Sequence, residues 1–207
     1  MFILLIVSLI FLGLAIKSLF GENHGSRFDP YFFMMLALSA GSAYLPVKHM
    51  LFEYRLGAVA AELIEHDRVV VDCRSQFESL FNLGYAGFVV RGSGVIKLDV
   101  RTCDDLADYL DHPGQANHRE LYALHVLTHE AIHVAGIINE IKTDCMAFQR
   151  NHRTAKILGV PEGIANQNAI SLHRYRSPRH TYYSKDCEPG GKLDEHLPDA
   201  VWAHSQK

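Results

Sequence analysis

Residues 129–145 read His129-Glu130-Ala131-Ile132-His133-Val134-Ala135-Gly136-Ile137-Ile138-Asn139-Glu140-Ile141-Lys142-Thr143-Asp144-Cys145. A glycine divides this stretch into two helical patterns. On the upstream side Leu121, Leu124, Leu127, Ile132 and Ala135 supply an apolar stripe at helical spacing. Asn117 is a good N-cap, and Glu120 three residues later completes a capping box. Gly136 is a natural stop. A second long helix is expected from about 139 to 158. Gly159 stands at its C-terminal cap, and Pro161 opens a short helix after it.

Outward from these helices the pattern changes period. Residues 68–73 (RVVVDC) are short and β-branched, so a strand. Residues 87–98 (GFVVRGSGVIKL) hold two apolar runs around Gly92-Ser93-Gly94, a hairpin signal. Residues 104–110 form a short helix stopped by Pro113-Gly114. Residues 49–64 carry apolar side chains at helical spacing. The tail from Arg174 is rich in Pro, Gly, Tyr and His and reads as loop. The expected class is α+β, a small antiparallel sheet with helices packed to one side. No internal repeat or low-complexity segment interrupts it.

The amino-terminal end is a different material. Met1 to Ile16 carries no charge, and Lys17 is the first. A second apolar run, residues 31–47 (YFFMMLALSAGSAYLPV), follows a short polar loop. A membrane-spanning helix needs about 17–25 apolar residues. The first run reaches that length if Lys17 snorkels. It lacks the basic start of a signal peptide, and no small-residue cleavage site follows closely. Residues 1–20 and 30–48 therefore read as a transmembrane helical hairpin that anchors the domain at 49–207. The whole chain averages zero hydropathy only because these two populations cancel. With 48% hydrophobic residues it buries a core and is not disordered. With 20 Lys+Arg against 23 Asp+Glu, it offers no basic footprint for nucleic acid.

His129-Glu130-Ala131-Ile132-His133 has the form H-E-x-x-H. Residues four apart share a helical face, so both imidazoles can reach one metal ion. Glu130 is rotated off that line and is free to handle a water. Two His and one carboxylate around Zn²⁺ leave a fourth position open, where the metal lowers the pKa of water and polarises a carbonyl. A chain with 13 His produces such spacings cheaply. The motif gains weight from the capped amphipathic helix that carries it and from the carboxylates that follow.

Those carboxylates lie in Asn139-Glu140-Ile141-Lys142-Thr143-Asp144. Here the sequence resembles the thermolysin-like, or gluzincin, metallopeptidases, whose third ligand lies in an N-E-x-x-x-D helix. The resemblance covers about sixteen residues. It implies a zincin-like fold, Glu140 as third zinc ligand, and Asp144 as the carboxylate that orients His129. One departure stands out, because only six residues separate His133 from Glu140. An unbroken helix would carry Glu140 about 10 Å along its axis, so the chain must reverse sharply near Gly136. The metzincin pattern also turns at its glycine, but Asn139 stands where its third His belongs. Asp144 and Asn139 remain alternative third ligands. His129 to Cys145, together with Cys187 to Pro198, also resembles a bacterial group of membrane-anchored or exported zinc proteases.

Cys73, Cys103, Cys145 and Cys187 are far apart and form no C-x-x-C, which argues against a zinc knuckle. Two disulfides in an extracytoplasmic domain are expected, with Cys73–Cys103 and Cys145–Cys187 the favoured pairing of three. Oxyanion donors are sought outside the metal helices: Tyr182 first, then Tyr183, His173 and His180. Residues 95–98 are the candidate edge for an extended peptide. Trp202 reads as a packing anchor. The expected function is a membrane-anchored zinc metallopeptidase acting on a peptide or protein, with Glu130 as general base. The alternative is a catalytically inactive, metal-stabilised ectodomain that serves in assembly. A small membrane protein without metal is the third reading.

Overall fold

The computed structural model describes residues 2–20, 29–74, 85–90, 92–176 and 184–201. The chain divides into two compact units, Met1–Phe52 and Glu53–Lys207.

In the first unit, α1 (Phe2–Leu19) is an 18-residue apolar helix. The second helix, α2 (Pro30–Leu63), runs unbroken for 34 residues with Pro46 inside it, and continues into the second unit. It is long and apolar enough to cross a membrane. The two helices touch at small residues. Ser8 Oγ donates to Ser39 O at 2.9 Å, and Ser39 Oγ donates to Ser8 O at 3.0 Å. Small side chains let helix backbones approach and satisfy each other's carbonyls. Of the exposed large apolar side chains among the described residues, eighteen lie in this unit and seven in the other.

The second unit holds a three-stranded sheet with helices around it. The strands are β1 (Val70–Cys73), β2 (Gly87–Val90) and β3 (Val95–Leu98), in the order β1-β3-β2. The hairpin around Gly92-Ser93-Gly94 forms as expected, with Val90 opposite Val95 and Gly87 opposite Leu98. The sheet is not wholly antiparallel. β3 returns from the hairpin into the space between β2 and β1, so it runs parallel to β1, with Val70 opposite Val95 and Cys73 opposite Leu98. Residues 95–98 are therefore the central strand, and the expectation that they form an open edge is corrected: among the described residues β1 and β2 are the edges.

Ile96 and Leu98 are buried completely, as alternation on a half-buried strand requires. Leu56, Leu106 and Leu127 are buried as completely, each worth roughly 1.5–3 kcal/mol on burial. Gly57 of α2 admits the chain entering β1. A Cβ there would stand 2.6 Å from Val69 O.

Four further helices follow: α3 (Val100–Asp111), α4 (His118–Val134), α5 (Glu140–Ile157) and α6 (Glu162–Arg176). Asp99 caps α3 by accepting from Arg101 N. α3 is longer than the seven residues expected, and α6 continues to Arg176, past the point where the tail read as loop. Asn117 and Glu120 form the capping box that starts α4. Both cysteine pairs are bonded, Cys73–Cys103 joining β1 to α3 and Cys145–Cys187 joining α5 to the tail. The tail is fixed further along α5. Gln149 Nε2 donates to Leu193 O, its Oε1 accepts from Glu195 N, and Arg153 makes two bonds to Asp199.

Candidate metal centre

The reversal between α4 and α5 brings the candidate ligands together. Ala135 caps α4, and Gly136 follows at φ +92°, a left-handed conformation that glycine adopts without a Cβ penalty. Gly136 N donates to His133 O and Ile137 N donates to Ile132 O, the paired bonds of a Schellman motif. Asn139 then starts α5. Its side chain accepts from Lys142 N at 2.9 Å, so this amide is spent on capping the helix. α5 runs back along α4. Glu140 meets His129 and His133, while Asp144 and Asn151 meet His125.

Three ligand atoms converge at the start of this hairpin. His129 Nε2 and His133 Nε2 are 3.0 Å apart. Glu140 Oε2 lies 3.1 Å from the first and 3.4 Å from the second. His133 Nδ1 faces Ile137 O at 2.6 Å, and a carbonyl only accepts, so Nδ1 carries the hydrogen. His129 Nδ1 lies 3.7 Å from Asp144 Oδ1, longer than a hydrogen bond. His133 Nε2 thus keeps a lone pair, and it converges with His129 Nε2 on the Glu140 carboxylate oxygen. These three atoms are a donor set for a cation. A tetrahedral ion with bonds of about 2.0–2.1 Å sets its ligand atoms about 3.3 Å apart, which the observed triangle matches.

A second group capable of holding a metal shares His129 with His125 and Asp144. Its spacing differs. His125 Nε2 and Asp144 Oδ1 are 2.8 Å apart, a charge-assisted hydrogen bond with no room for an ion. His125 did not stand out in the sequence, although residues 125, 129 and 133 form one stripe at a spacing of four. Asp144 sits closer to His125 than to His129.

Glu130 is buried, and it lines the same cleft as His129, His133 and Glu140. A Cβ on Gly87 would lie 3.1 Å from Glu130 Cγ, so glycine leaves the carboxylate its space. Burial and the nearby Glu140 raise the Glu130 carboxyl to about 7, with His129 opposing in part. For His129 burial works downward, but Asp144, Glu130 and Glu140 outweigh it and hold the imidazole above the ordinary value.

A cleft of about 990 Å³ opens over these groups. Gly87, Phe88 and Val89 of β2 form one wall, and Val126, His129, Glu130 and His133 of α4 the other. His173 does not line it; that residue is buried on α6 with its ring edge-on to Phe148. Tyr182, Tyr183, His180 and Trp202 lie outside the described residues.

No protein-family model, curated protein or solved structure matches this chain.

Proposed function

We propose that this protein is a membrane-anchored, zinc-dependent metallopeptidase with a zincin-like site. The observation that carries the reading is the triangle of ligand atoms from His129, His133 and Glu140, with an ionisable Glu130 beside it and an edge strand across the cleft. Two imidazoles and one carboxylate are a zinc donor set with one position open. When bound, the ion supplies Lewis acidity to water and to the carbonyl of the scissile bond.

The chain's own residues would do the rest. Glu130 would take a proton from the water as its oxygen bonds to the carbonyl carbon, then return it to the departing amine as the C–N bond breaks. A carboxyl raised to about 7 suits both halves of that exchange near neutral pH. Among the described residues β2 has a strand on one side only, so a substrate can add to its other edge in extended form. Exposed Ile138 and Tyr85 on the cleft offer apolar contact to its side chains.

Location follows from the same materials. The apolar α2 and its contact with α1 support a hairpin anchor. Two disulfides support an oxidising, extracytoplasmic setting for the domain. The test is hydrolysis of a broad peptide library by the full chain in detergent, beside Glu130→Gln. The expected result is cleavage that Glu130→Gln loses by at least ~10²-fold while it keeps its metal. Equal activity in the two proteins would overturn the mechanism. Metal binding without any hydrolysis would favour the inactive, metal-stabilised ectodomain.

A further inference from the structure

We infer that His125 is a positioning residue, which fixes Asp144 and through it the His129 imidazole at the ion. The inference rests on the metal reading of His129, His133 and Glu140.

Asp144 is a buried carboxylate, 2% exposed, and such a group needs strong donors. His125 Nε2 bonds Asp144 Oδ1 at 2.8 Å, and His129 Nδ1 lies 3.7 Å from the same oxygen. His125 thus holds the carboxylate oxygen that faces His129. The direction of that bond is fixed by its surroundings. Asn151 Nδ2 lies 3.0 Å from His125 Nδ1 and donates to it, leaving the ring hydrogen on Nε2. If the amide were turned over, Nδ1 would donate to the Asn151 oxygen. The Nε2 facing a carboxylate would still carry a hydrogen, since two acceptors cannot bond. Either way His125 donates to Asp144.

The ring is held by packing. His125 is 2% exposed, and Phe148 packs on it with ring centroids 4.4 Å apart at a 31° tilt. The line Asn151–His125–Asp144–His129 thus joins the helix hairpin's interior to the ion. Second-layer partners of metal-binding histidines change metal affinity by about 10–100-fold. Here the layer is one residue deeper than a carboxylate alone.

The test is zinc affinity of the full chain in detergent, measured by chelator competition, with cobalt(II) absorption as the second readout. His125→Leu is expected to lose ~10–100-fold in affinity and to alter the cobalt spectrum. His125→Gln keeps a donor near the Nε2 position and is expected to stay within about threefold of wild type. In an Asp144→Asn background, His125→Leu should cost little more. A role in packing alone would leave zinc affinity and the cobalt spectrum unchanged in both His125 variants, and that result overturns the inference. So does a full, additive loss in the Asp144→Asn background. If His125→Leu does not fold, Asn151→Ala gives the reading, since it releases the ring: a loss of several-fold supports the inference and wild-type affinity overturns it. Absence of zinc binding by the wild type would remove the metal reading itself, which is a different failure from an unchanged variant.

Discussion

At the scale of single residues, hydrogens decide what the site is. Ile137 O claims the Nδ1 hydrogen of His133, which leaves the His133 Nε2 lone pair beside His129 Nε2 and Glu140. His129→Ala and Glu140→Gln each remove a corner of that triangle, and each is expected to release most of the bound zinc, read by metal analysis. Gly87 matters for the space it leaves. Gly87→Val would press a side chain against Glu130, Val126 and Leu98. The expected costs are about 1–3 kcal/mol in unfolding free energy and a lower turnover, checked by denaturant titration and peptide hydrolysis. A Gly87→Val protein with wild-type stability and rate would mean that β2 and Glu130 are not packed as described. The H-E-x-x-H motif was readable from spacing, and Glu140 as a candidate ligand came from the resemblance of residues 139–144 to the N-E-x-x-x-D helix. The tie between His125 and Asp144 was not, because it depends on how two helices fold back on each other and not on the period of either one.

At the scale of elements, the turn at Gly136 brings the ligands onto one point. Nothing lies within 4 Å of a Cβ built there, so its φ of +92° is the whole constraint. Gly136→Val should therefore cost about 1–2 kcal/mol and weaken zinc binding, while Gly136→Asn loses less, because Asn tolerates left-handed backbone. Equal behaviour of the two variants in thermal melts and zinc titration would contradict this. Helix caps, the glycine stop and the hairpin turn were legible in the sequence because each is local chemistry. The sheet order was not. A β-hairpin fixes the direction of β3 relative to β2 but not which of the two strands pairs with β1, and that choice made the sheet mixed and put residues 95–98 at its centre, with β1 and β2 at the edges. The end of α6 escaped as well, since its packing outweighs the loop-like composition from Arg174 onward.

At the scale of the whole molecule, two kinds of surface and two disulfides describe its setting. Removing the tail staple with Cys145→Ser and Cys187→Ser together is expected to cost about 2–4 kcal/mol in unfolding free energy. The tail's polar bonds to Gln149 and Arg153 remain in that variant, so the loss is partial. Acid acts through buried histidine. Burial holds His173 below the ordinary histidine value, with Glu188 opposing in part. The unfolded chain takes up a proton near pH 6.5 while the folded one still excludes it. The stability that His173 contributes is thus complete above about pH 6.5 and lost as pH falls. His129 carries a shift of opposite sign, so comparison with His173→Leu isolates the effect. The drop in Tm from pH 7.5 to 5.5 should be smaller in His173→Leu, and an unchanged drop would contradict the assignment.

The central claim is that His129, His133 and Glu140 hold one zinc ion. Metal analysis of the purified full chain, after dialysis against metal-free buffer, tests it most directly. About one equivalent of zinc per chain is expected, lost in His129→Ala and retained in Glu130→Gln. Less than about half an equivalent, with no change on His129→Ala, would contradict the account.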